Sequence, residues 1–170
     1  NYDFQAVTDG KVKKEAFVAA TPANMFSFVF NTRRPVFADR KVRTALAMLY
    51  DFEWTNKNLF EGAYSRTGSF WQNSELSALG VPASDGEKAL LQPYADKLLP
   101  EVMDGIWKPV ETDGSGRDRE TILKAVMMLK EAGFNVKDQK MIGADGKPLS
   151  FEILCANGSE EKLALVYQRT

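Results

Sequence analysis

Ser159-Glu160-Glu161-Lys162 places a hydroxyl three residues ahead of an amine, the S-x-x-K spacing in which a lysine can activate a serine nucleophile. The partners of that chemistry are missing: there is no S-D-N or K-T-G, and Ser84-Asp85-Gly86 is a partial echo that lies upstream. A capping serine and a solvated lysine explain the same four residues. Glu160 and Glu161 are adjacent carboxylates without a further acid-base partner. Gly114-Ser115-Gly116 opens like a dinucleotide fingerprint, but Arg119 stands at the third glycine position and no strand precedes it. Gly143-Ala144-Asp145-Gly146-Lys147 lacks the Walker A spacing, and Pro148 follows where Ser or Thr is needed. Both read as loop and turn.

The histidine count is zero. That removes the Ser-His-Asp triad, the Cys-His dyad and any imidazole ligand for zinc. One cysteine, Cys155, can form no internal disulfide or Cys-rich metal site, and at the end of an apolar strand its default is a small buried hydrophobe. The sequence therefore points away from an enzyme, with no catalytic residue, metal or cofactor to name.

A different set of residues suits capture. Tyr64, Arg66, Thr67, Ser69, Trp71 and Asn73 combine flat apolar faces, a fork of donors and neutral hydrogen-bonding groups within ten positions. An extended peptide needs donors and acceptors for its main chain and tolerant walls for its side chains. The bland alternative is that Phe70 and Trp71 anchor the loop to a core.

The elements that must position this stretch are partly legible. Val12–Val18 and Met25–Asn31 read as strands, the second apolar on both faces like a strand inside a covered sheet. Asp39 is an N-cap for a helix whose buried stripe is Val42, Ala45, Leu46 and Leu49, and helical character resumes over Phe52–Phe60 until Gly62. Residues 63–82 have no clean period. Asp85–Tyr94 reads as helix with a break near Pro93. Pro100–Gly116 reads as loop, most flexible at Asp113–Gly116. Arg117–Ala132 is the clearest helix, with Ile122, Ala125, Val126 and Leu129 inward and Gly133 as its left-handed cap. Met127 and Met128 read as packing. Ala144–Lys147 is a hairpin turn feeding a strand at Leu149–Leu154, and Ser159 caps a final helix carrying Leu163, Val166 and Tyr167. Strands alternating with helices give an α/β layer architecture.

The 170 residues suffice for one domain with a real core, and hydrophobic content of 44% with 26% charged is ordinary for a globular chain. A formal net charge of −1 offers phosphates no bulk attraction, so no nucleic-acid partner is expected. No apolar run approaches the roughly 20 residues of a membrane span. The chain opens Asn1-Tyr2-Asp3-Phe4 without a leader and stops at Thr170 without a helix stop signal, which reads as a piece cut from something longer.

Two segments carry a resemblance. Phe30-Asn31 through Pro35-Val36-Phe37-Ala38-Asp39 to Val42-Arg43-Thr44-Ala45-Leu46 resembles a block of the family 5 extracellular solute-binding proteins, the peptide- and nickel-binding subunits of ABC importers. Thr44 departs from it, since the family usually has Gln there. Phe52 to Phe60, Gly62 to Thr67 and Asn73 to Leu76 are similar to the oligopeptide and microcin C binding branch, and Leu129-Lys130-Glu131-Ala132-Gly133-Phe134 and Gly146-Lys147-Pro148-Leu149 to later blocks.

The resemblance implies part of one lobe of a two-lobed, type II periplasmic binding fold, a mixed sheet flanked by helices. It implies a periplasmic component that closes on an oligopeptide or modified peptide and delivers it to an ABC permease in the inner membrane. A ligand-sensing module with the same fold and no transport role stays open beside it. Half a cleft alone is expected to bind weakly and to self-associate through exposed lobe contacts.

Overall fold

The computed structural model describes residues 3–17 and 21–169. The helices are α1 (Gln5–Thr8), α2 (Arg40–Met48), α3 (Phe52–Leu59), α4 (Asp85–Leu91), α5 (Pro100–Met103), α6 (Arg119–Glu131) and α7 (Gly158–Gln168). Single 3-10 segments lie at Pro35–Phe37 and Gln92–Lys97. The strands β1 (Asn135–Lys137) and β2 (Lys140–Ile142) pair antiparallel, with Val136 opposite Met141. The chain is thus α/β, with a small two-stranded sheet among the described residues. It divides into two compact units: unit 1 holds Asn1–Met25 and Gly68–Trp107, unit 2 holds Phe26–Thr67 and Lys108–Thr170.

Unit 2 is built on α2 against α6. Asp39 caps α2 by accepting from Lys41 N at 2.7 Å, as its position predicts. Asp118 does the same for α6, accepting from Thr121 N. Val42, Ala45, Leu46 and Met48 from α2 join Phe37, Ala125 and Leu129 in one buried cluster. Ala45 and Ala125 are both fully buried, and small side chains on the two helices let their backbones approach closely. Of the expected inward residues of α6, Ile122 and Val126 are half-buried, while Thr121 is buried. Met128 packs on the core and Met127 is exposed.

Two of the basic residues at the start of α2 have internal work. Lys41 pairs with Glu131 at 2.8 Å, and Arg43 donates to the carbonyls of Phe37 and Ala38. Arg40 is exposed.

The strand expectations need correction. Residues 12–17 are not a strand, and Val18 lies outside the described residues. Met25–Asn31 is extended but pairs with no ladder partner among the described residues. Nor is it covered on both faces: Phe28 meets Tyr50 and Tyr167 at 5.6 Å each and Phe30 meets Phe37 at 5.1 Å, while Met25 and Val29 on the other face, and Phe26 on the same one, are exposed. Leu149–Leu154 is likewise extended. It is joined to β2 only at its start, where Pro148 bridges Ile142 and Leu149 N donates to Met141 O. The turn before it is where the sequence puts it, with Gly143 N donating to Lys147 O. The β1–β2 hairpin was not foreseen, because its turn uses Asp138 and Gln139 at φ 51° and 61° rather than glycine.

Helix α7 is capped by Asn157, whose side chain accepts from Ser159 N and Glu160 N, so Ser159 belongs to the first turn and is not the cap. Tyr167 anchors α7 by donating to the Leu46 carbonyl. Burial raises the Tyr167 phenol well above its ordinary range, and burial raises Tyr50 too. The unfolded chain ionises tyrosine near pH 10 and the folded chain later, so both states are neutral below that pH and stability is lost above it. The expected slope is about 1.4 kcal/mol per pH unit for Tyr167. Urea midpoints at pH 9, 10 and 11 should fall more steeply for the natural chain than for Tyr167→Phe.

In unit 1, Ser84 and Glu87 form a reciprocal capping box at α4, Glu87 Oε2 accepting from Ser84 N at 2.7 Å. The helix passes at Gln92 and Pro93 into the 3-10 segment, the break the sequence indicates. Gly105 sits at φ 69°, and a Cβ there would lie 2.4 Å from the Val81 carbonyl carbon, so only glycine fits.

Candidate functional site

Helix α3 begins at a carboxylate with several partners. Asp51 is buried; its Oδ1 accepts from Trp54 N at 2.8 Å and its Oδ2 from Gly116 N at 2.8 Å. The Thr112 hydroxyl lies 2.5 Å from Asp51 Oδ1 and 2.6 Å from Glu53 Oε2, its single hydrogen serving one of them at a time. Glu53 also accepts from Thr112 N at 3.0 Å. Gly116, at φ 75°, fits under the Trp54 ring, where a Cβ would come 2.9 Å from Cδ1. The loop at Asp113–Gly116, which composition marks as the most flexible point, is thereby strapped, together with Thr112, to the first turn of α3.

The chain that follows the same helix carries the first three sequence-predicted site residues, Tyr64, Arg66 and Thr67. Asn56 donates from Nδ2 to Tyr64 O at 2.6 Å and accepts from Tyr64 N at 3.1 Å, a side-chain copy of a strand pairing. Gly62, at φ 75°, lets the chain reverse to reach it. The Tyr64 ring stands edge-on to Phe60 at 4.9 Å and is 60% exposed. Arg66 is half-buried; it donates to the Val110 carbonyl, and its guanidinium carbon lies 5.9 Å from the centre of the Phe52 ring. Thr67 is half-buried beside it in sequence.

Ser69, Trp71 and Asn73 fall in unit 1 and form a turn of their own. Gln72 is its brace: Oε1 accepts from Gly68 N at 2.8 Å and its carbonyl from Ala23 N at 2.7 Å. Ser69 Oγ accepts from Trp71 N, and Ser74 Oγ donates to Trp71 O at 2.7 Å. Asn73 takes the left-handed conformation at φ 67°, which asparagine tolerates better than most residues. Phe70 and Trp71 project from this turn, 74% and 53% exposed, and do not serve as buried anchors.

The six residues divide three to each unit; Tyr64 and the turn at 68–74 sit on backbone held by side-chain hydrogen bonds, and Arg66 is placed by its own guanidinium. The residues doing the holding, Asn56 and Gln72, were not foreseen as part of the site, nor was the Asp51, Glu53 and Thr112 cluster that straps residues 112–116. Asp51 ahead of Phe52 did carry an N-cap signal. Nothing in the sequence signals Thr112, because its partners are about sixty positions away. Among the described residues no group of three His, Cys, Asp or Glu could hold a metal ion, and no helix is long and apolar enough to cross a membrane. Glu160 is occupied in helix capping, accepting from Ala156 N and Asn157 Nδ2, so it is not poised beside Ser159 as a base.

The chain matches the family model described as bacterial extracellular solute-binding proteins, family 5 middle, over residues 2–169. A protein of Brucella melitensis that carries the name of a binding protein is 54% identical over 168 residues. The peptidoglycan-binding protein YepA of Agrobacterium fabrum is 46% identical over 169 residues. YejA of the same organism, provisionally named as a peptide-binding protein, is 34% identical over 169. These alignments take in 98–99% of this chain but only 27–28% of each relative, so the chain spans little more than a quarter of their length.

Proposed function

The chain belongs to the bacterial extracellular solute-binding proteins of family 5, and on that premise we propose that it forms part of one lobe of a two-lobed, type II binding protein. That protein captures oligopeptides, modified ones included, in the periplasm and hands them to an inner-membrane ABC permease without chemical change. The names of the relatives support a peptide or peptidoglycan-derived cargo, since the stem of peptidoglycan is itself a modified peptide. The observation that carries the reading is the pairing of exposed Tyr64 and Trp71 rings with backbone fixed by Asn56 and Gln72. Rigid aromatic faces on a preset main chain give a ligand contact area at low entropic cost.

We assign Tyr64, Arg66, Thr67, Ser69, Trp71 and Asn73 as the ligand-contacting set of this portion. Arg66 keeps donors beyond the one given to Val110.

Calorimetric titration of a di- to octapeptide pool into the full-length protein is expected to give saturable heat. Trp71→Ala should weaken that binding about tenfold, the scale of losing one aromatic contact. No heat from peptides alongside binding of another solute class would sink the peptide assignment and leave the family membership standing. Unchanged affinity in Trp71→Ala would remove that residue from the set.

A further inference from the structure

Uncompensated charge gathers in unit 2 where the chain enters α2. Five of the eleven residues from Arg33 to Arg43 are basic, and Asp39 is the single acid among them, in a chain whose formal net charge is −1. Lys41 is paired with Glu131, Arg43 is committed to the carbonyls of Phe37 and Ala38, and the Asp39 carboxylate is occupied in capping. Arg33, Arg34 and Arg40 are exposed, and among the described residues no carboxylate lies within ion-pair distance of any of them. Arg40 moreover stands at the first position of α2, where the positive end of the helix makes a cation unfavourable. The backbone that carries the three is preset. Asn31 holds the turn, its Oδ1 accepting from Arg33 N at 3.2 Å and its carbonyl from Arg34 N at 2.9 Å, and the buried Phe37 anchors the bend that follows Pro35.

The chemistry of this patch selects its partner. None of the three arginines lines the groove of about 470 Å³ in unit 2, so their acceptor is met on an outer surface and not in a pocket. Nor has the patch an apolar centre: its hydrophobic neighbours Val36 and Phe37 are half-buried and buried, whereas a protein docking site is organised around large exposed anchors. Exposed guanidinium groups without such an anchor suit a surface of phosphates, each of which they can grip with two parallel hydrogen bonds, and which a bilayer offers without demanding a complementary shape. We propose that Arg33, Arg34 and Arg40 hold the protein against the anionic phospholipid headgroups of a bilayer. The proposal goes beyond the capture of cargo and stands whatever the cargo is.

Co-sedimentation of the full-length protein with vesicles tests it, using phosphatidylcholine alone and phosphatidylcholine mixed with phosphatidylglycerol. Binding is expected to the anionic vesicles only, and it should fade as salt is raised. The Arg33→Gln/Arg34→Gln/Arg40→Gln variant should bind them about 100-fold more weakly, roughly fivefold for each arginine. Arg33→Gln alone leaves the backbone bond to Asn31 in place and should lose about fivefold. Arg40→Gln removes a like charge from the helix start, so the fold is expected to survive, and calorimetric peptide binding by the triple variant should match that of the natural protein. Lys124→Gln/Lys137→Gln/Lys147→Gln makes the same change in net charge at exposed positions and should stay within about twofold of natural affinity for the vesicles. The proposal is overturned by a natural protein that ignores anionic vesicles, by an arginine variant that binds them undiminished, or by an equal loss in the lysine variant. Retention only by vesicles bearing a membrane protein, and lost in the arginine variant, also overturns it and transfers the patch to a protein partner.

Discussion

Asp51→Ala lowers the unfolding free energy of unit 2 by about 3 kcal/mol, combining a lost N-cap near 1 kcal/mol with charge-assisted hydrogen bonds to a buried carboxylate. Three groups lose an acceptor at once: Trp54 N, Gly116 N and the Thr112 hydroxyl. Glu53 keeps its own two contacts with Thr112, so the strap loosens at Gly116 first. Asp51→Asn retains one oxygen acceptor and should recover more than half of the loss. Urea unfolding followed by tryptophan fluorescence is a direct measure, because the Trp54 ring lies over Gly116 and changes environment when residues 112–116 detach. A loss below about 1 kcal/mol would reduce Asp51 to a simple cap.

Leu46→Ala is expected to cost a further-ranging loss of about 3 kcal/mol, within the 2–5 kcal/mol range of buried leucine truncations. Leu46 is 4% exposed and sits in the cluster that joins α2 to α6. Collapse around the cavity is restrained on both sides, by the buried alanines and by the Tyr167 hydroxyl held on the Leu46 carbonyl. Met127→Ala on α6 is the matched control: at 62% exposure it should stay within about 0.5 kcal/mol of the natural chain. Equal losses for the two would contradict the assignment of the core to this face of the helices.

What the sequence reveals here divides by range. Asp39 with Val42, Ala45, Leu46 and Leu49 is a local pattern; the cap and the first three stripe residues are where they are expected, and Leu49 is half-buried just past the helix. In α6 the Gly133 end and the inward Ala125 and Leu129 are as expected, while Thr121 is buried more deeply than Ile122 and Val126. Over Met25–Asn31 two apolar faces suggest a strand covered on both sides, yet only Phe28 and Phe30 turn inward; period two says nothing about what lies alongside. The loop at Asp113–Gly116 looks mobile by composition because its restraint is a carboxylate 65 residues away from Gly116. At Asn157 and Ser159 two good capping types stand two residues apart, and the extended φ of −154° at Asn157 decides between them. In the candidate site, the absence of any period marks the stretch as irregular but leaves open whether Phe70 and Trp71 are anchors or exposed faces; the structure exposes both. The engagement of Arg66 with Val110 was not legible, since it spans 44 residues.

The discontinuity of unit 2 has a consequence during synthesis. Phe26–Thr67 emerges first, then forty residues of unit 1, and only afterwards Lys108–Thr170. Asp51 therefore waits 65 positions for Gly116, and the Leu46 carbonyl waits 121 for Tyr167. At roughly 5–20 residues per second, the interval for Asp51 is about 3–13 seconds. Throughout it, the apolar stripe of α2 has no helix α6 to cover it, and α2 at nine residues is too short to persist as an isolated helix. The nascent chain thus presents Val42, Leu46 and Met48 as an open adhesive patch for seconds, the kind of segment that holding chaperones bind. Its vulnerability to misassembly is set by the order in which the ribosome delivers the two halves, rather than by the stability of the finished unit.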